Sequence, residues 1–336
     1  RCSHSTERYL TMQRNFSHTR RGVLSAIALA FCSGAAMASW PQDNRPVKIL
    51  VPWPTGGATD QIGRMLAQPL SQALGVPVVV ENKAGAGGVL GTQLFVKEKP
   101  DGHTLLLATS STNAAAPHLY AKLGFDPISD FTPVVSLCEI PNVMVVPTKS
   151  PWATLKELVA AAKKDPGKYT YGSAGIGGSQ HLAGAQFKTA SGADIRHVPY
   201  KGSGPAAQDL IAGHIDMMID TGSLGSIRGG LLRPLAVASE KRLAALPDVP
   251  TFKEAGTPML ASAWYGLMLP ANAPAEAVTR LNTEVNKILR SPDISAKLAA
   301  MGAIVMGGQA QDFARFSASE IKRYESIVRD SGAPKE

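Results

Sequence analysis

The sequence predicts an α/β protein built on open, mostly parallel sheets. Short apolar runs alternate with helical patterns along the chain. Most of those runs are continuous in their hydrophobicity rather than alternating, as suits parallel strands covered on both faces. With 336 residues, 44% hydrophobic and 18% charged, the chain is long and apolar enough for about two domain cores.

The early strands are expected at Val47–Val51, Val76–Val80, Thr104–Ala108, Thr132–Leu137 and Val143–Val146. The later ones fall at Tyr169–Ser173, Ile195–Pro199, Ile215–Ile219, Leu235–Ala238 and Trp264–Leu269. Thr59 or Asp60 can cap a helix over Ile62–Leu74, which Gly75 stops. Thr154 and Glu157 make a capping box that opens Leu155–Lys164, and Asp165-Pro166-Gly167 ends it. Pro274 starts a helix with Val278, Leu281, Val285 and Ile288 on one face, closed by Ser291-Pro292. Phe313, Phe316, Ile321 and Tyr324 mark a last amphipathic helix. No Ser/Gly-rich or charged spacer divides the chain. Two domains without a linker imply that the chain crosses between them more than once. Pro141–Pro147 and the stretch after Ala245–Pro250 are the candidate crossings. No 20–50-residue period signals a solenoid.

The ends and the charge bound the setting. Residues 1–38 read as a secretory signal region: Arg14, Arg20 and Arg21 precede an apolar stretch from Gly22 to Ala36. That stretch is too short for a stable anchor. Ala36-Met37-Ala38 has the small-x-small form that predicts cleavage before Ser39. Met12 opens a more usual signal than Arg1 does. Arg20-Arg21 permits a twin-arginine route, although paired Arg is common in ordinary signals. Cys32 follows Phe31, a residue too large for the usual lipobox. The formal charge is +8, and residues 1–38, with five Arg and one Glu, supply half of it. No Lys/Arg run with interleaved aromatics suggests a nucleic-acid partner. Cys138, the one cysteine left after cleavage, sits in the apolar run VVSLCEI and reads as a buried small hydrophobe.

Several catalytic readings fail on spacing. GAGGVLG (Gly85–Gly91) follows a strand, but Leu90 stands where a dinucleotide fingerprint needs glycine. The mature chain has no G-x-S-x-G. Its five histidines include no H-x3-5-H pair and no H-E-x-x-H, so zinc is not expected; no other metal and no cofactor is expected either. Ser179 and His181 are neighbours in GGSQHL, but residues two apart do not make a triad.

Three loops share another chemistry. Trp53–Asp60, Thr109–Asn113 and Gly172–Gln180 each follow an apolar strand, precede a helical pattern and consist largely of Gly, Ser and Thr. Glycine admits close backbone approach, and a helix N-terminus offers unpaired N–H groups and partial positive charge. Such loops bind an anion without Arg or Lys, at strand ends where α/β folds place ligands. The absence of Arg argues against rigid fork recognition and favours a carboxylate held by N–H and hydroxyl groups. Trp53 suits a pocket wall or plain packing. Asp220, after an apolar strand, suits a ligand amine or hydroxyl, or a cap on the following turn.

VPWPTGGATD, VVVENKAGAGGVLGT, KPDGHTLLLATSST, PNVMVVP, DPGKYTYGSAGIGGSQHLAG, HVPYKGSGPAAQDL and LPDVPTFKEAG resemble, in this order, the signatures of the tripartite tricarboxylate transporter receptors, or Bug proteins. The resemblance runs from about Pro46 to the C-terminus. It implies a periplasmic solute-binding protein of the two-lobed, flytrap type (type II-like), its sheets joined by a two-strand hinge. The lobes would be 44–143 plus 250–336, and 144–249. The implied ligand is a small organic carboxylate, and the implied partners are the large and small membrane subunits of a transporter. Carried over by motif, Gly57, Ala58, Thr59 and Asp60 would serve the first loop, Ser110 and Thr112 the second, and Ser173, Gly175 and Ser179 the other lobe. Trp53 stands where the family often has Phe, and Thr221-Gly222-Ser223 where it often has Asn-Leu/Met-Pro. The expectation is a monomeric receptor rather than an enzyme. A ligand-loaded sensor and a periplasmic hydrolase on the same scaffold are the alternatives.

Overall fold

The computed structural model describes residues 40–41, 44–333 and 335; the expected signal region 1–38 lies outside the described residues. The chain opens with β1 (Val47–Val51), α1 (Ala58–Leu74), β2 (Val78–Asn82), α2 (Val89–Phe95) and β3 (Thr104–Thr109). A π-helical turn over Ser111–Ala115 runs into α3 (Ala116–Leu119) and then β4 (Phe131–Pro141). Next come β5 (Val143–Pro147), α4 (Leu155–Lys164), β6 (Thr170–Ser173), α5 (Ser179–Ser191) and β7 (Arg196–Pro199). They are followed by α6 (Ser203–Ala212), β8 (Met217–Asp220), α7 (Leu224–Arg228) and β9 (Leu232–Val237). The last elements are β10 (Ser262–Pro270), α8 (Ala275–Arg290), α9 (Pro292–Ala300), β11 (Ile304–Gly307) and α10 (Ala310–Ser331).

Among the described residues the strands form two sheets, ordered β11-β4-β10-β3-β1-β2 and β7-β6-β8-β5-β9. Both are mixed, which corrects the expectation of mostly parallel sheets. β1 pairs in parallel with β2 and β3, and β6 with β7 and β8. The strands that bring the chain across, β4, β5 and β10, pair antiparallel with every neighbour. A chain that leaves one sheet and returns to it cannot enter and exit in the same direction without a covering helix.

The chain passes from the first sheet to the second at Asn142 and returns at Ala261-Ser262. Backbone bonds tie the crossings together: Asn142 N–H donates to Ala261 O, Ala238 N–H to Asn142 O, and Ala261 N–H to Ala238 O, at 2.8–3.1 Å. The first sheet's core gathers Leu50, Phe95, Leu106, Trp264, Met268 and Phe313. On the second, Met144, Tyr171, Phe187 and Ile219 pack on one face, and Val145, Leu210 and Met218 on the other. Phe252 joins the second sheet's core, with Ala255, Met259 and Ala261 against it.

Local signals act where the chemistry is local. The capping box forms as read: Thr154 Oγ1 accepts from Glu157 N–H at 3.3 Å, and Glu157 Oε2 from Thr154 N–H at 3.2 Å. Gly75 ends α1 in the left-handed region at φ 72°. Helix α1 starts earlier than expected, with Gly57 at its N-cap, so neither Thr59 nor Asp60 is the cap. β2 lies two residues further on than expected. Ser291-Pro292 closes α8 and at once begins α9, with Pro in the first turn.

Candidate functional site

The loops that open helices α1, α5 and α6 converge on one cleft between the two sheets, with about 480 Å³ of empty space including its open mouth. Each of these helices has glycine at its N-cap: Gly57, Gly178 and Gly202. No side chain caps any of them. The first two residues of each, Ala58 and Thr59, Ser179 and Gln180, Ser203 and Gly204, line the cleft. Their N–H groups precede the first helical bonds, which in α1 and α5 start at Gln61 N–H and Leu182 N–H. Three sets of unpaired donors and three partial positive charges therefore face one space.

Side chains add hydroxyls and walls but no formal charge. No Asp, Glu, Lys, Arg or His is among the residues that line the cleft. Thr59 and Ser111, each 8% exposed, present hydroxyls that bond to no described residue. Thr221 and Tyr265 close one side, their hydroxyls 3.4 Å apart. Burial pushes the Tyr265 phenol well above its ordinary range, so it stays a neutral donor. Trp53 and Pro54 form the wall from the first loop. The Trp53 indole N–H is buried without an acceptor among the described residues, and its ring packs over Gly88, where an added Cβ would lie 3.2 Å from it.

Of the residues singled out from sequence, Trp53, Gly57, Ala58, Thr59 and Ser179 line this cleft. Asp60, Ser110, Thr112, Ser173, Gly175 and Asp220 lie behind it and shape the loops. Asp60 accepts from Gly56 N–H, Arg64 and Asn82, all near 3.0 Å. Burial would raise its pKa, but these partners outweigh it and hold the carboxyl below its usual range. Ser110 is fully buried. Thr112 bonds to Thr109 and Asn113 within its own turn. Ser173 Oγ meets His197 Nε2 at 2.6 Å and the N–H of Gly175 at 3.1 Å. Asp220 accepts from Gln180, Gly222 and Ser223.

Thr55, Thr109, Ser111 and Gln180 line the cleft from within the three expected loops and Thr221 from the segment noted as a departure, while Ser203, Gly204 and Tyr265, which sequence reading did not single out, join them. The signal for Ser203 and Gly204 was present, since YKGSGP repeats the strand, glycine and helix layout of the other loops. Tyr265 lies inside an apolar strand, and nothing local marks it. Cys138 is fully buried, and burial pushes its thiol up to about 12. No cluster of three or more His, Cys, Asp or Glu suited to a metal ion occurs among the described residues. No described helix is long and apolar enough to cross a membrane.

Two α/β lobes around an uncharged, donor-rich cleft define a solute-binding protein of the periplasmic type. Residues 62–333 match the tripartite tricarboxylate transporter family receptor, and the chain belongs to that family. It is 38% identical over 293 residues to Protein BugT of Bordetella pertussis, covering 86% of this chain and 90% of the relative. Among solved structures it is similar to R. palustris Rpa4515 with adipate, at 36% identity and TM-score 0.85, covering 88% of this chain and 99% of that one. It is also similar to MatC of Rhodopseudomonas palustris with bound malate, at 32% identity and TM-score 0.80, covering 84% and 99%. The family is one of solute-binding receptors rather than enzymes.

Proposed function

We propose that this chain is a periplasmic receptor that captures a small organic carboxylate in the cleft and presents it to the membrane subunits of a tripartite transporter. The observation that carries the reading is the convergence of three glycine-capped helix N-termini on a cleft without charged side chains. A carboxylate satisfies those N–H groups and balances their partial charges. The adipate and malate held by two similar proteins support the same ligand class.

The lobes meet at the two crossings. Strand membership supports a division into 44–142 plus 262–336 and 143–261, which moves the expected return boundary from residue 250 to the start of β10. Capture proceeds from an open form, in which one lobe holds the anion, to the closed form, in which Thr221 and Ser203 reach the first lobe's loop. We read the described structure as this closed form, because a Cβ on Gly57 would lie 3.0 Å from Ser203 Oγ across the cleft. We read the cleft as a binding site rather than a catalytic one, because no nucleophile and base pair lines it. Export would follow the general secretory route, and the receptor would act as a monomer.

The test is calorimetry and thermal shift on the chain from residue 39 onward, against C4–C6 diacids, citrate and aromatic acids. A true ligand at 100 times its Kd stabilises the fold by about 2.7 kcal/mol. A refolded, ligand-free protein that binds none of these acids would overturn the reading.

A further inference from the structure

We propose that Gln180 makes this cleft select against ligands that carry an ammonium group, by closing the Asp220 carboxylate off from it. The inference rests on the carboxylate-receptor reading above. Asp220 ends β8 and is 2% exposed. Its Oδ2 accepts from Gly222 N–H at 3.0 Å and from the Ser223 hydroxyl at 2.6 Å, and its Oδ1 from Gln180 Nε2 at 2.9 Å. Gln180 lines the cleft and Asp220 does not. The amide thus stands between the ligand space and the carboxylate. Its Nε2 end is tied to Asp220 Oδ1, and its Oε1 lies near Gly178, where an added Cβ would approach to 3.3 Å.

Asp60, the other carboxylate next to a lining residue, is engaged by Gly56, Arg64 and Asn82. What faces the ligand is therefore neutral and without a carboxylate: the helix N–H groups, hydroxyls such as those of Thr59, Ser111 and Tyr265, and the Gln180 amide. An ammonium offers three donors and no acceptor. In this cleft it would meet the positive ends of three helices and no anion, and burying it unpaired is costly. A carboxylate with hydrogen in place of the amino group meets no such penalty.

Matched pairs test this by calorimetry: succinate with aspartate, glutarate with glutamate, and adipate with 2-aminoadipate. The wild-type chain is expected to bind the best diacid at least about a hundred-fold more tightly than its amino partner. Gln180→Ala opens a path to Asp220 and should narrow that ratio at least about tenfold. Adding Asp220→Asn to Gln180→Ala should restore the gap, because the acceptor is lost. Equal wild-type affinity within the pairs would overturn the inference while leaving the receptor reading intact. So would a folded Gln180→Ala protein with an unchanged ratio. Failure of every pair, and of citrate and the aromatic acids as well, would sink both readings. The wild-type comparison decides even if a variant does not fold.

Discussion

The hydroxyls of Thr221 and Tyr265 lie 3.4 Å apart, one just past β8 in the second sheet and the other on β10 in the first. The contact spans the two sheets, and if the lobes open by a hinge motion it should be lost. Tyr265→Phe removes it and leaves the ring packing in place. A neutral hydrogen bond contributes about 0.5–1.5 kcal/mol, so carboxylate affinity should fall by about two- to tenfold, with little change in the ligand-free melting temperature. Calorimetry and thermal melts on the variant check both halves. An unchanged affinity would mean that the contact plays no part in closure.

Gly57 has φ −80°, a backbone conformation open to any residue, yet an added Cβ would lie 3.0 Å from Ser203 Oγ across the cleft. A Ser hydroxyl can rotate away from one methyl, but not readily from a branched side chain. Gly57→Val should therefore hold the lobes apart while each lobe folds normally. Small-angle scattering is expected to show wild-type compaction on adding ligand and none in the variant. Normal compaction of the variant would refute the wedge.

Gly184 on α5 and Gly266 on β10 are packing glycines of a different kind. An added Cβ would lie 2.1 Å from Tyr171 Cε2 at the first and 2.2 Å from Phe313 Cζ at the second. Both aromatic rings are buried. Gly184→Ala and Gly266→Ala should each cost about 1–3 kcal/mol, read as a lower denaturant midpoint with unchanged slope. Wild-type midpoints would show that the rings move freely.

His181 and His197 stack with centroids 4.2 Å apart, and Tyr171 stacks on His197 at 4.9 Å. Burial pushes both imidazoles down to about 4, and the neighbouring His181 adds to the effect at His197. Gly177 N–H donates to His181 Nδ1 at 3.1 Å, which requires that nitrogen to be unprotonated. In the unfolded chain both groups titrate near 6.5. Above about pH 6.5 neither state binds these protons. Between 6.5 and about 4 only the unfolded chain does, so stability falls as the pH falls and levels off below. Urea midpoints at pH 7, 6 and 5 should decline, a range above most carboxylate titration. Replacing His197 by Phe should flatten the decline. A flat wild-type profile would contradict the prediction.

The strand and helix alternation, the capping box at Thr154 and the stop at Gly75 were legible because each depends on residues a few positions apart. The three Gly/Ser/Thr loops that border the cleft were legible for the same reason, since a helix start after a strand end is a local pattern. Pairing direction was not, because β4, β5 and β10 owe their antiparallel neighbours to the crossings at Asn142 and Ala261. Nor was the aim of each polar side chain. Asp60, Ser173 and Asp220 have the right chemistry in the right loops, but their partners lie behind the cleft. Tyr265 was hidden in an apolar strand, and only the fold brings it opposite Thr221. The short edge strand β11 went unseen, its Ile304, Val305 and Met306 all exposed.

The cleft-facing N–H donors at Ala58, Ser179 and Gly204 belong to the main chain, and no substitution short of proline can delete them. An alanine scan across the cleft would accordingly leave its central attraction nearly silent and report mainly on glycines and walls. Descendants of such a receptor could exchange Trp53, Gln180 or Thr221 and acquire a new preferred acid while inheriting the same grip. Two homologues with identical glycine loops can therefore serve different nutrients, and identity in those loops is evidence of shared architecture, with diet written in the surrounding side chains.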